Sequence, residues 1–101
     1  MTKQEARDLE TLCDALIQKA LDDDTAHMSM NLTGRLKVVF GNGYDGMSID
    51  RDFSRITYVS WSGDLDDLLD YRDKFLKCVN DRKDLFKKLK WSYEHIDELE
   101  D

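Results

Sequence analysis

The apolar residues of this chain repeat with a helical period at both ends and a strand period between them. That order limits the folds open to it. Near the start, Leu9, Leu12, Cys13, Leu16, Ile17, Ala20 and Leu21 fall three and four apart, which puts them on one stripe of a helix of about five or six turns. Thr2 and Glu5 have the spacing of a capping box. Arg7, Glu10, Asp14 and Gln18 occupy the opposite face. Asp22, Asp23 and Asp24 then meet the negative end of the helix dipole, so the helix is expected to fray there. Residues 25–33, with His27, Met28 and Met30, show no clear period and read as a connection.

The middle of the chain alternates. Leu36, Val38 and Phe40 share one face, and Gly41-Asn42-Gly43 is a turn signal. Tyr44 to Asp50 places Met47 and Ile49 together, and Arg55 to Trp61 is rich in β-branched and aromatic residues. Links this short join antiparallel neighbours. Ser62 or Asp64 then offers a helix N-cap. Leu65, Leu68, Leu69, Phe75, Leu76 and Val79 form one helical stripe, and Leu85, Phe86, Leu89, Tyr93, Ile96 and Leu99 another. Asn80-Asp81 interrupts them. Two helices are favoured; one bent helix is the alternative, too long for so small a core to cover. The expected fold is α+β: an N-terminal helix, a three-stranded antiparallel meander and one or two C-terminal helices, in a single domain over residues 1–101. Leu16 and Val38 are placed in the core. The outer sheet face, with Arg35, Lys37, Arg55 and Thr57, is left to solvent or a partner.

The hydrophobic share of 41% suffices for one core, and an aromatic share of 10% argues against disorder. Cys13 and Cys78 are the only cysteines, too few for a disulfide scaffold. With no basic-then-apolar leader and no membrane-length apolar run, a cytoplasmic protein with reduced thiols is expected.

Motifs for chemistry are weak. Gly41-x-Gly43-x-x-Gly46 matches a dinucleotide fingerprint as text, but that chemistry needs a helix N-terminus next, and Met47-Ser48-Ile49 continues as strand. Cys13, His27, Cys78 and His95 have the atoms to hold zinc without the paired spacing, so no metal or other cofactor is expected. The aspartates around Gly46 do not fit a calcium loop. No serine or cysteine has a base close in sequence, and the exposed pair Asp66 and Asp70 is unsuited to acid–base work, so the chain is not expected to be an enzyme. Lys74, Lys77, Arg82, Lys83, Lys87, Lys88 and Lys90, beside Trp91, lie between acidic stretches and read as salt-bridged helix faces rather than a nucleic-acid surface.

The acid is the remaining signal. Aspartate and glutamate total 22 against 15 lysines and arginines, for a net charge of −7. The acid is gathered in Asp22-Asp23-Asp24, in Asp64, Asp66, Asp67, Asp70 and Asp73, and in Glu94, Asp97, Glu98, Glu100 and Asp101. Such blocks keep a protein soluble; spaced along a helix, they also imitate phosphates. In size, acidity and layout the chain resembles the small acidic proteins that phages and mobile elements use against host nucleases, the anti-CRISPR and anti-restriction DNA-mimic proteins. The resemblance implies a stoichiometric inhibitor that occupies the basic groove of a nucleic-acid enzyme, without binding nucleic acid or membrane itself. It carries over no residue roles; the charge pattern makes the first two blocks, Asp22, Asp23 and Asp24 with Asp64, Asp66, Asp67, Asp70 and Asp73, the candidate binding face. The alternative is a structural or assembly protein, a homo-oligomer such as a homodimer or an accessory subunit, built on the apolar C-terminal positions Leu85, Leu89, Ile96 and Leu99.

Overall fold

The Thr2 side chain opens the first helix, α1 (Lys3–Leu21), by accepting the Glu5 amide at 3.1 Å, and its hydroxyl donates to the Glu5 carboxylate at 3.2 Å. These contacts come from a computed structural model, which describes residues 1–31 and 34–101 and, of these, every side chain but that of Tyr58. The far end of α1 does not fray into the aspartates. Asp22 adopts the left-handed conformation (φ 52°), its amide donates to Lys19 at 3.2 Å, and the Asp23 amide donates to Gln18 at 3.1 Å. This pair of bonds satisfies the last carbonyls and closes the helix.

Four strands follow: β1 (His27–Met30), β2 (Leu36–Val39), β3 (Gly46–Ile49) and β4 (Ile56–Ser60). They form one antiparallel sheet in sequence order. The meander thus has one strand more than expected. Residues His27–Met30, read as a connection, pair with β2 in the register His27–Val39 to Met30–Leu36. Met28 and Met30 point inward and His27 and Ser29 outward. The free edge of β1 lies along α1, where the Asp14 carboxylate accepts the Met28 amide at 2.8 Å. A polar residue of the helix thereby satisfies a donor that an edge strand leaves exposed.

Helices α2 (Leu65–Asp81) and α3 (Lys83–Glu94) and a 3-10 turn (Ile96–Glu98) complete the chain. The break falls at Arg82, one residue past Asn80-Asp81. The helices cover one face of the sheet, where Met28, Met30, Leu36, Val38, Met47 and Ile49 join Cys13, Ile17, Phe75, Val79, Phe86 and Leu89 in one core. On the other face Lys37 and Thr57 are exposed, as are Arg35 and Arg55 just beyond the strand ends. Leu16 is only half-buried, whereas Val38 is fully enclosed. Leu12 and Leu65, placed on apolar stripes, are 48% and 66% exposed because each lies at the margin of its stripe.

Two loops are set by carboxylates. In the β2–β3 loop Asn42 accepts the Tyr44 and Asp45 amides, each at 2.9 Å, and donates to Asp45. The buried Asp45 carboxylate also accepts the Ser62 amide at 2.8 Å and the Ser62 hydroxyl at 2.9 Å, fastening the loop to the end of β4. In the β3–β4 loop Asp50 accepts the amide and hydroxyl of Ser54, each at 2.8 Å. That loop drives Phe53 into the core with φ 58° and 1% exposure. A bulky residue in this region costs about 1–3 kcal/mol, offset here by burial of the ring.

These carboxylates make the fold acid-sensitive. The Asn42 hydrogen bond, with those from Ser62, holds Asp45 below the usual carboxylate range. Burial pushes Asp50 up, but the bonds from Ser54 and Arg55 outweigh it and the net shift is downward. A lowered folded-state pKa contributes stability that is present above the unfolded value, about 3.9, and is lost as the pH falls below it. Asp45→Asn should therefore lower stability at neutral pH and flatten its decline in acid. Urea melts across the pH range measure both; an unchanged acid slope would remove Asp45 from this account.

Candidate functional site

Helices α1 and α2 run antiparallel. The Cys78 thiol, late in α2, meets the Leu16 carbonyl at 3.7 Å, and the Tyr71 hydroxyl, early in α2, donates to the Asp23 carboxylate at 3.2 Å. The end of α1 therefore sits against the first half of α2. Beneath this junction Phe40 packs edge-on to Trp61 at 5.4 Å and against Tyr71 at 4.9 Å. The aromatic cluster ties the start of α2 to the end of the sheet.

The consequence is an acidic pole assembled from two blocks that lie some forty residues apart in the chain. Asp22, Asp67, Asp70, Tyr71 and Lys74 line a depression of about 260 Å³ between the helices. Asp24 lies exposed just beyond α1, and Asp64 and Asp66 lie exposed at the start of α2. Along α2, Asp66, Asp70 and Asp73 share one face at steps of four and three residues, the first step rising about 6 Å. Of the candidate residues, Asp70 pairs with Lys74 at 2.8 Å and Asp73 with Arg72 at 3.2 Å. Among the described residues, no cation lies within ion-pair distance of Asp22, Asp24, Asp66 or Asp67.

Asp23 plays a different part. Its carboxylate accepts the Thr25 hydroxyl at 2.6 Å and the Thr25 amide at 2.9 Å as well as Tyr71. The Thr25 hydroxyl is the main cause of its lowered pKa. Burial, then the Asp23 charge, push Tyr71 up. Asp23 is thus committed to holding the pole together. Asp64 is the N-cap residue of α2, although its side chain makes no cap bond; its carbonyl accepts the Trp61 indole at 2.8 Å. Asp66 and Asp67 face the positive end of the helix dipole, which gives them a structural role alongside any binding role.

The remaining candidate groups stay apart. Among the described residues, no three histidine, cysteine or acidic side chains converge to hold a metal ion. His27 lies beside Gln18 and Asp14, and His95 stacks on Trp91 at 4.4 Å. Of the basic cluster, Lys77 pairs with Asp81 at 2.6 Å, and Lys90 reaches the Arg51 carbonyl at 2.9 Å. Gly43 has the positive φ (77°) of a turn glycine, and Gly46 lies in β3, so Gly41 to Gly46 form a hairpin.

Sequence reasoning missed Tyr44, 81% exposed at the tip of the Asn42–Asp45 loop. The Asp45–Ser62 bonds tie the loop that carries Tyr44 to the segment just before α2. No helix among the described residues is long and apolar enough to cross a membrane. Compared with protein-family models, curated proteins and solved structures, the chain matches none.

Proposed function

We propose that the acidic pole is a protein-binding surface and that the chain is an inhibitor of the anti-CRISPR or anti-restriction type, filling a basic groove that otherwise holds nucleic acid. The observation that carries this reading is the convergence of Asp22–Asp24 with Asp66, Asp67 and Asp70 at one end of the molecule. Asp22, Asp24, Asp66 and Asp67, which have no cation within ion-pair distance among the described residues, and Asp70, whose exposed pair with Lys74 can be exchanged, present negative charge to lysines and arginines on the partner. No catalytic group is needed, and the protein acts in the cytoplasm. Such complementarity works largely through the rate of encounter and is screened over about 8 Å at physiological salt.

The test is capture of a partner from a bacterial lysate with the full chain as bait, followed by competition. Recovery of a nucleic-acid enzyme, displaced by its own nucleic acid and by rising salt, is the expected result. A partner whose binding is indifferent to both would overturn the mimicry reading. The assembly alternative rested on Leu85, Leu89, Ile96 and Leu99; the fold buries Leu89 and Leu99 and half-buries the other two.

A further inference from the structure

Farther along the same helix pair the charge reverses. Between α1 and α2 lies an open groove of about 400 Å³, floored by Leu16, Ala20 and Cys78. Its rim carries four cations, Lys19, Lys74, Lys77 and Arg82, against one acid, Asp81. In a protein of net charge −7 this is a local excess of positive charge over an apolar floor. Lys74 and Lys77 are paired, with Asp70 and Asp81. Among the described residues, Lys19 and Arg82 have no carboxylate within ion-pair distance.

We infer that this groove binds a small amphipathic anion, its apolar body on Leu16, Ala20 and Cys78 and its acidic head between Lys19 and Arg82. The volume suits a small ligand. The length of the positive stretch decides the class. It is bounded at one end by Asp22, Asp67 and Asp70 and at the other by Asp81 and Asp84, so an extended polyanion such as a nucleic-acid strand runs into acid within a few turns. A compact anion does not. The floor, meanwhile, offers little to a bare inorganic ion.

The test is a titration of the isotope-labelled full chain, followed by amide chemical shifts, with three probes: octanoate below its micelle concentration, 1-octanol and inorganic phosphate. Octanoate should give saturable shifts centred on residues 16–20 and 74–82. Octanol and phosphate, each carrying half of the chemistry, should bind at least about tenfold more weakly. The double variant Lys19→Gln with Arg82→Gln should weaken octanoate about tenfold and leave octanol unchanged, since only the head contact is lost. A thermal melt checks that the variant folds; if it does not, Arg82→Gln alone and the salt dependence of octanoate binding to the parent replace it. No saturable response to octanoate, equal binding of octanol, or shifts centred elsewhere would overturn the inference. The acidic pole is tested separately, because neither substitution touches it.

Discussion

Phe75→Ala should lower the unfolding free energy by about 3–5 kcal/mol, the cost of deleting a fully buried ring and leaving a cavity. Domains of this kind are stable by about 5–15 kcal/mol, so the variant should sit near the edge of folding. Phe75 has no exposed surface and belongs to the core between the helices and the sheet. Leu65, on the same helix, is 66% exposed, and Leu65→Ala should change stability by less than about 0.5 kcal/mol. Urea unfolding of both variants measures the contrast. A loss below about 1 kcal/mol at Phe75 would show that the core lies elsewhere.

The second large effect concerns the acidic pole. Changing Asp66, Asp67 and Asp70 together to Asn should weaken partner binding at least about tenfold, mostly by slowing association, and should make the remaining affinity less sensitive to salt. Asn is nearly isosteric, and all three side chains are exposed, so melting should change little. The loss of favourable dipole contacts at the start of α2 is a small effect of opposite origin; it lowers stability without touching association. If the triple variant associates as fast as the parent at low salt, the pole is not the binding surface, and the exposed Tyr44 ring becomes the better candidate.

Much of the fold follows from local pattern. The capping box at Thr2, the alternation through Leu36 and Val38 and the break after Asn80 are each decided within a few residues, and a sequence shows them directly. Strand β1 was harder. Its alternation, His27 out and Met28 in, runs for only four residues, without β-branched side chains to mark it, and its free edge is completed by Asp14 of a distant helix. Leu12 and Leu65 fit an apolar stripe but fall at its margin, and periodicity alone cannot show how far a neighbour reaches. The same limit applies to the site. That Asp22–Asp24 and Asp64–Asp73 are acidic is plain from the chain. That they share one end of the molecule depends on the antiparallel packing of α1 on α2 and on the bond from Tyr71 to Asp23. The Asp45–Ser62 link, which ties the Tyr44 loop to the segment just before α2, spans 17 positions and had no local signal.

The two ends of the chain lie side by side. The Lys3 amide donates to the Glu100 carbonyl at 2.7 Å, and the Lys3 ammonium pairs with Asp101 at 2.9 Å. Helix α1 carries the chain about 28 Å from this point to Asp22, in a molecule whose longest dimension is 44 Å. Residues 3 and 100, with the third acidic block around them, therefore mark the end opposite Asp22, Asp66 and Asp67. A tag, a fluorophore or an attachment to a sensor surface at either terminus leaves Asp22, Asp66 and Asp67 turned away from the anchor. Both orientations of a fusion should thus present the same surface.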